Sequence, residues 1–198
     1  MSSASTPDPF ALFDLPPRYA LDPAELERRF FAQNRELHPD RFATAPAAER
    51  VVALTRSRAL NDAYQVLRKP VARAEHLLAR AGGSIGDNER LSPAFLEEIL
   101  ELREELAEAR HSSRPDKTAV IEKLAGAMKA RRTAELSKLG PLFARAEAAA
   151  GGDARDATAH DADPALALGE IKQTLIALRY LDRYLEECDV ALDSDSET

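Results

Sequence analysis

The chain has 198 residues, of which 44% are apolar, enough for one or two domains with buried cores. Its formal charge of −7 argues against general affinity for nucleic acid, and a single cysteine excludes an internal disulfide or a cysteine metal cluster. Glycine is scarce, alanine, leucine, glutamate and arginine abound, and alternating apolar–polar runs are rare, so the composition predicts an all-α chain.

The stretch from Met1 to Pro7 has neither the basic region nor the apolar run of a signal peptide, and no apolar run reaches bilayer length. A soluble protein of a reducing cytoplasm is expected. Phe10, Phe13 and Leu15 crowd one short segment before Pro16-Pro17, which predicts a one-turn helix plugging a neighbouring core. Asp22 caps the next predicted helix, with Pro23 at its first position and Glu25 in its first turn. Leu26, Phe30 and Leu37 form its apolar stripe, with Phe31 beside it. Arg28, Arg29 and Arg35 share the remaining surface with Glu25, Glu27 and Glu36, a pattern that an ordinary solvated helix face also produces.

Pro39 ends that helix. Proline lacks a backbone donor and pushes the residue before it out of helical geometry, so His38 closes the helix and Asp40 enters a turn. A loop to about Pro46 leads to a helix over roughly Ala47 to Arg68, whose face of Ala53, Leu60, Tyr64 and Leu67 predicts antiparallel packing on its predecessor. Lys69-Pro70 stops it, and a short helix follows from Val71 to Ala81, closed by Gly82-Gly83. The polar, glycine-containing run from Gly82 to Arg90 is the predicted domain boundary.

Ser92-Pro93 opens a helix with Phe95, Ile99, Leu102 and Leu106 on its core stripe. Leu96 and Leu100 fall off that stripe, among Glu97, Glu101, Glu104 and Glu108. They either meet another helix of the bundle or form a partner-docking patch bordered by carboxylates. Asp116 to about Leu139 forms the next helix on Val120, Ile121, Leu124, Met128, Leu136 and Leu139, with a kink or break expected at Gly140-Pro141 before an alanine-rich helical extension to Ala150. Gly151 to Asp163 reads as a disordered loop. The last helix starts at Asp163-Pro164 with Leu168, Ile171, Leu175, Leu178 and Leu185 inward and Tyr180 roughly opposite, and its acidic end after Leu192 is expected to fray. Three long helices predict an antiparallel bundle.

His38 and Asp40 have no third catalytic partner: Cys188 reads as a packing residue, and His76, His111 and His160 lack metal-ligand spacing. No glycine-rich phosphate loop is present. The chain is therefore not expected to be an enzyme, and neither a cofactor nor a metal is implied.

The residues that remain carry a resemblance. A helix, the turn His38-Pro39-Asp40 and a returning helix ending in Leu60-Asn61-Asp62-Ala63-Tyr64-Gln65-Val66-Leu67, all preceded by Phe10-Ala11-Leu12-Phe13-Asp14-Leu15, look like a J domain. Arg73-Ala74-Glu75-His76-Leu77-Leu78, Phe95-Leu96, Leu100-Glu101-Leu102-Arg103-Glu104-Glu105-Leu106 and Leu178-Arg179-Tyr180-Leu181-Asp182 resemble the HscB-type co-chaperones of iron–sulfur cluster assembly. The resemblance implies a J domain over 8–81, a linker over 82–91 and a three-helix bundle over 92–190 in an L-shaped arrangement, with 140–163 as a flexible insertion.

It also implies two partners. His38, Pro39 and Asp40, supported by Arg28, Arg29, Arg35 and Arg41, would dock on a DnaK-type, HscA-like chaperone and stimulate its ATP hydrolysis. Leu96, Leu100, Glu101, Glu104, Glu108 and Tyr180 would bind the scaffold protein IscU. No nucleic acid or membrane is implied, and the expected state is a monomer with weak self-association at most. Glu97 stands where a relative has an apolar residue, so a more acidic and weaker patch is expected, and Arg41 replaces the commoner lysine with a planar fork. The absence of the N-terminal cysteine motif of eukaryotic relatives points to a bacterial-type protein. The alternative is a general J-domain protein or a helical interaction module with another client.

Overall fold

A computed structural model describes residues 7–86, 93–111, 116–150 and 163–196, and every regular element among them is helical. In chain order these are α1 (Pro9–Leu12), α2 (Pro23–Leu37), a 3₁₀ turn (Pro39–Phe42), α3 (Ala47–Arg68), α4 (Pro70–Arg80), α5 (Pro93–His111), α6 (Lys117–Ala150) and α7 (Pro164–Ser196). They form two compact units that divide between Ala81 and Gly82. No helix among the described residues is long and apolar enough to cross a membrane.

The first unit is built on the α2–α3 hairpin. Asp22 Oδ1 accepts from the Ala24 amide at 3.0 Å, and Pro23 occupies the first helical position, where a missing donor costs nothing. Phe30 stacks on Tyr64 with ring centroids 4.2 Å apart, while Leu37 lies across from Ala53 nearer the turn, so the two helices run antiparallel. Leu26, Leu60 and Leu67 complete the interface, and each such buried side chain contributes about 1.5–3 kcal/mol. Phe10 and Phe13 are fully buried against this hairpin. Asp8 holds α1 in place: its carboxylate accepts from the Phe10 amide at 3.0 Å and reaches His76 at 3.3 Å and Arg80 on α4. Gly82, with φ of +82°, ends α4 in the left-handed conformation that favours glycine.

The second unit packs α5, α6 and α7 around Ile99, Leu106, Ile121, Leu124, Met128, Leu181 and Tyr184. Ion pairs tie the three helices together: Arg103 to Glu187 at 2.8 Å, Arg145 to Glu170 at 2.6 Å, Arg131 to Glu98, and Arg132 to Asp182. The Arg131 guanidinium also lies 4.7 Å from the centroid of the Phe95 ring, a cation–π contact between α6 and α5.

Three expectations need correction here. The helix does not break at Gly140-Pro141: α6 runs through Pro141 to Ala150. Leu139 and Phe143 are buried on either side of the proline. The carbonyl of exposed Ser137, which loses its donor to the ring, can be satisfied by water, so packing outweighs the penalty of roughly 3 kcal/mol. Residues 140–150 are thus not a flexible insertion, whereas 151–162 lie outside the described residues. The last helix also continues past Leu192 to Ser196 instead of fraying there. The expected cap Ser92 and the histidine at 160 lie outside the described residues.

Tyr184 and Cys188 are fully buried on α7. The Tyr184 hydroxyl donates to the Leu102 carbonyl at 3.1 Å, and burial pushes its pKa well above the ordinary 10.0. Burial likewise pushes the Cys188 thiol up, against the opposing effect of a hydrogen bond with Tyr184. The thiol is expected to react with an aromatic disulfide reagent at pH 8 on the order of a hundredfold more slowly in the native protein than in denaturant. Equal rates in the two states would show that Cys188 is accessible and that the bundle core is misassigned.

Candidate functional site

The His38–Asp40 turn stands at the tip of the α2–α3 hairpin. His38 closes α2 in an extended conformation (φ −60°, ψ 129°), as the following proline demands. The Arg41 amide donates to the His38 carbonyl at 3.0 Å and the Ala43 amide to the Asp40 carbonyl at 3.3 Å, which fixes the 3₁₀ turn. His38 Nδ1 accepts from the Asp40 amide at 3.3 Å and lies 3.4 Å from the Asp40 carboxylate. An Nδ1 that accepts leaves the ring proton on Nε2, free to donate outward. The side chain of Asp40 is 90% exposed, so its charge faces solvent. Geometry of this kind presents one donor and one carboxylate to solvent. Among the described residues, no group of three histidine, cysteine or acidic side chains has the arrangement to hold a metal.

The four arginines expected around the turn divide into two sets. Arg35 is exposed in the last turn of α2, where a cation suits the helix dipole. Arg41 Nη1 donates to the Arg35 carbonyl at 3.1 Å, sealing the end of α2 while its remaining donors stay in solvent. Arg28 is exposed and pairs with Glu25 one turn back. Arg29 does not belong to this face. Its Nε donates to Glu25 at 2.5 Å, and its Nη1 donates to the carbonyls of Phe13, at 2.6 Å, and Asp14. Asp14 has φ of +51°, a left-handed conformation that a non-glycine residue holds at some cost, and Arg29 holds it together with the Asp14 and Leu15 amides, which donate to the carbonyls of Ala11 and Phe10. The guanidinium therefore fastens the end of α1 to α2. Arg29→Ala is expected to destabilise the first unit by about 2 kcal/mol, through loss of charge-assisted hydrogen bonds to groups that are half buried. An unchanged urea midpoint would contradict that role.

On α5, Leu100 is 60% exposed, with exposed Glu97, Glu101, Glu104 and Glu108 around it. The spacing of 97, 101, 104 and 108 keeps these carboxylates along one side of the helix. Leu96 and Tyr180 are different. Both are half-buried and pack on Ile176 and Ala177 of α7, together with Phe95 and Ile85. Tyr180 is thus not opposite the core; it sits at the α5–α7 seam, in contact with both clusters of the unit. The reason lies in α7 itself. Thr174 to Leu178 are five consecutive buried residues, so this helix is covered on more than one side: Ile171, Leu175 and Leu178 form one apolar face, Leu181, Tyr184 and Cys188 another, and Ile176 and Ala177 a separate cluster. The second face was legible as apolar residues but falls outside the single stripe assumed from the sequence.

The two units also differ in charge: the first carries twelve Lys and Arg against ten Asp and Glu, the second fifteen against twenty-four. The turn thus belongs to a slightly basic body and the α5 face to a strongly acidic one, which suits partners of different charge.

Residues 91–189 match the family described as the HSCB C-terminal oligomerisation domain. The chain belongs to the HscB family. Among curated relatives, a co-chaperone protein HscB homolog from Vibrio vulnificus (strain YJ016) is 45% identical over 106 residues, covering 52% of this chain and 62% of the relative. One from Bordetella pertussis is 47% identical over 105 residues, with the same coverage of 52% and 62%. The chain thus aligns with somewhat less than two thirds of the length of these HscB homologues. Chaperone HscB from Vibrio cholerae superimposes with a TM-score of 0.68 at 29% identity, covering 95% of this chain and 99% of that one. Human co-chaperone protein HscB superimposes with a TM-score of 0.73 at 23% identity over 96% of this chain and 84% of that one, a likeness of fold. The HscB relationship agrees with the all-helical, two-unit architecture of the described residues.

Proposed function

We propose that this chain is an adaptor that binds the iron–sulfur scaffold protein IscU through its second unit and delivers it to a DnaK-type, HscA-like chaperone. The His38-Pro39-Asp40 turn of the first unit stimulates the chaperone's ATP hydrolysis, so the chain promotes cluster maturation and transfer while hydrolysing nothing itself. The observation that carries this reading is the exposed His38–Asp40 turn, braced by backbone hydrogen bonds at the tip of a packed helical hairpin in an HscB-family chain. Arg28, Arg35 and Arg41 supply the electrostatic attraction around it. Leu100 with Glu101, Glu104 and Glu108 is the exposed contact surface for IscU, and Leu96 and Tyr180 support it from the seam with α7.

In this reading the chain acts in the cytoplasm, as a monomer, with residues 8–81 as the J domain and 92–190 as the client-binding bundle. The acidic border around Leu100 favours a client surface that is basic around an apolar pocket. Calorimetric titration of the whole chain with purified IscU tests it. A saturable heat with a dissociation constant of about 10 μM or tighter is expected, equivalent to roughly 7 kcal/mol. No measurable heat at high micromolar concentrations of both proteins removes the cluster-assembly assignment.

A further inference from the structure

Beside the His38–Asp40 turn lies an open groove of about 330 Å³ that the turn's own geometry does not require. It is lined by Leu37 and Phe42, on either side of His38–Asp40 in sequence, and by Ala48, Glu49, Val52, Ala53 and Arg56 of α3. Val52 and Arg56 are one helical turn apart, so they stand on the same stripe of α3. Val52 is 49% exposed although it is a β-branched apolar side chain next to a core position, and Ala53 beneath it is 3% exposed. The groove is thus an apolar floor with a charged rim, at the lower end of the volumes that hold a small ligand and ample for one side chain.

The charges favour one class of occupant. Arg56 and Arg35 are exposed and form no ion pair among the described residues, and Arg41 is spent only on a backbone carbonyl. Glu49 is the one carboxylate lining the groove. An acidic segment bearing a large apolar side chain meets both requirements, because the side chain fills the groove while the carboxylates face the arginines. The groove is also continuous with the turn, because Phe42, the last residue of the 3₁₀ turn, and Leu37, the last of α2, both line it.

We infer that this groove is the specificity-determining part of the chaperone contact, taking one large apolar side chain from an acidic segment of the DnaK-type partner. The inference rests on the adaptor reading above and adds to it the residues that choose the partner: Val52 and Phe42 for the side chain, Arg56 for its acidic flank. The turn acts on the chaperone's ATP hydrolysis; the groove sets how tightly the chain is held while it does so.

The test is ATP hydrolysis by a purified HscA-like chaperone, titrated with the full chain at several salt concentrations. Val52→Gln is expected to raise the concentration for half-maximal stimulation about tenfold and to leave the maximal rate intact, since an apolar contact is lost but the turn is not. Val51→Gln is the control. Val51 is more exposed than Val52, at 63%, but points a hundred degrees away from the groove stripe, and its substitution should change nothing. Arg56→Gln should flatten the salt dependence. Circular dichroism of each variant should match the parent, because all three positions are exposed.

A Val52→Gln curve that overlays the parent, or a Val51→Gln defect as large, overturns the groove assignment while leaving the adaptor reading intact. An unchanged salt dependence in Arg56→Gln overturns the acidic partner segment. If Val52→Gln instead alters sedimentation of the chain and not its effect on the chaperone, the groove joins two copies of the chain and the inference is wrong. A parent chain that stimulates no chaperone at all overturns both readings together.

Discussion

The His38→Gln variant is expected to leave the chaperone's ATP hydrolysis at its basal rate while binding IscU as tightly as the parent chain. His38 caps the end of α2, and its ring receives the Asp40 amide, so one side chain orients the whole turn. Glutamine can accept the same amide, but it brings one more freely rotating bond and removes the outward ring N–H on Nε2. What is lost is a pre-oriented pair of a donor and a carboxylate, and a misaligned pair forfeits most of a positioning effect. Stability should change by no more than about 0.5 kcal/mol, because the His38 side chain is half exposed and is not among the buried core residues described. Steady-state ATP hydrolysis and calorimetry on one preparation separate the two functions. Retained stimulation in this variant, or loss of IscU binding along with it, contradicts the division of labour.

The second large effect is expected at Leu100. Leu100→Ala should weaken IscU binding by at least about tenfold, as for an apolar anchor at the centre of a polar-rimmed interface. Stimulation of the chaperone in the absence of IscU should be unaffected. Leu100 is the cleaner probe because it is 60% exposed, so truncation leaves no cavity in the bundle. Leu96→Ala is expected to weaken binding as well, but it also removes packing from the seam at Ile176 and Ala177, and its melting temperature should fall where that of Leu100→Ala does not. If Leu100→Ala binds IscU with parental affinity, the client surface lies elsewhere on the second unit.

The turn was legible in the sequence because everything that shapes it is local. Pro39 dictates the geometry of His38, Asp40 follows two residues later, and the flanking helices announce themselves through Asp22-Pro23 at one end and Lys69-Pro70 at the other. The same local chemistry located α3 at Ala47–Arg68 and the start of α7 at Pro164. Failures arose where distant contacts decide. Arg29 looks like its neighbour Arg28 in sequence, yet one pairs on the surface and the other anchors a turn fifteen residues away. Pro141 reads as a helix breaker until Leu139 and Phe143 are seen packed on both sides of it. A single stripe accounts for the apolar pattern of α7 and leaves Tyr180 on a bare face, and only the approach of α5 reveals the second covered side. The Leu100 surface stands between these cases. The helical phase of α5 set Leu100 off the core stripe but left open whether another helix covers it, and the neighbouring contact of Leu96 with α7 joins residues some eighty positions apart.

The central claim is that one chain joins a chaperone-stimulating turn to a separate client-binding face. It is tested most directly by ATP hydrolysis of the HscA-like chaperone, titrated with the chain in the absence and presence of saturating IscU. The account predicts stimulation by the chain alone, and a half-maximal concentration that falls by about tenfold when IscU is present, because a client held by both proteins raises their effective concentration. A chaperone rate that the chain leaves unchanged at saturation, or a titration curve that IscU does not shift, contradicts it.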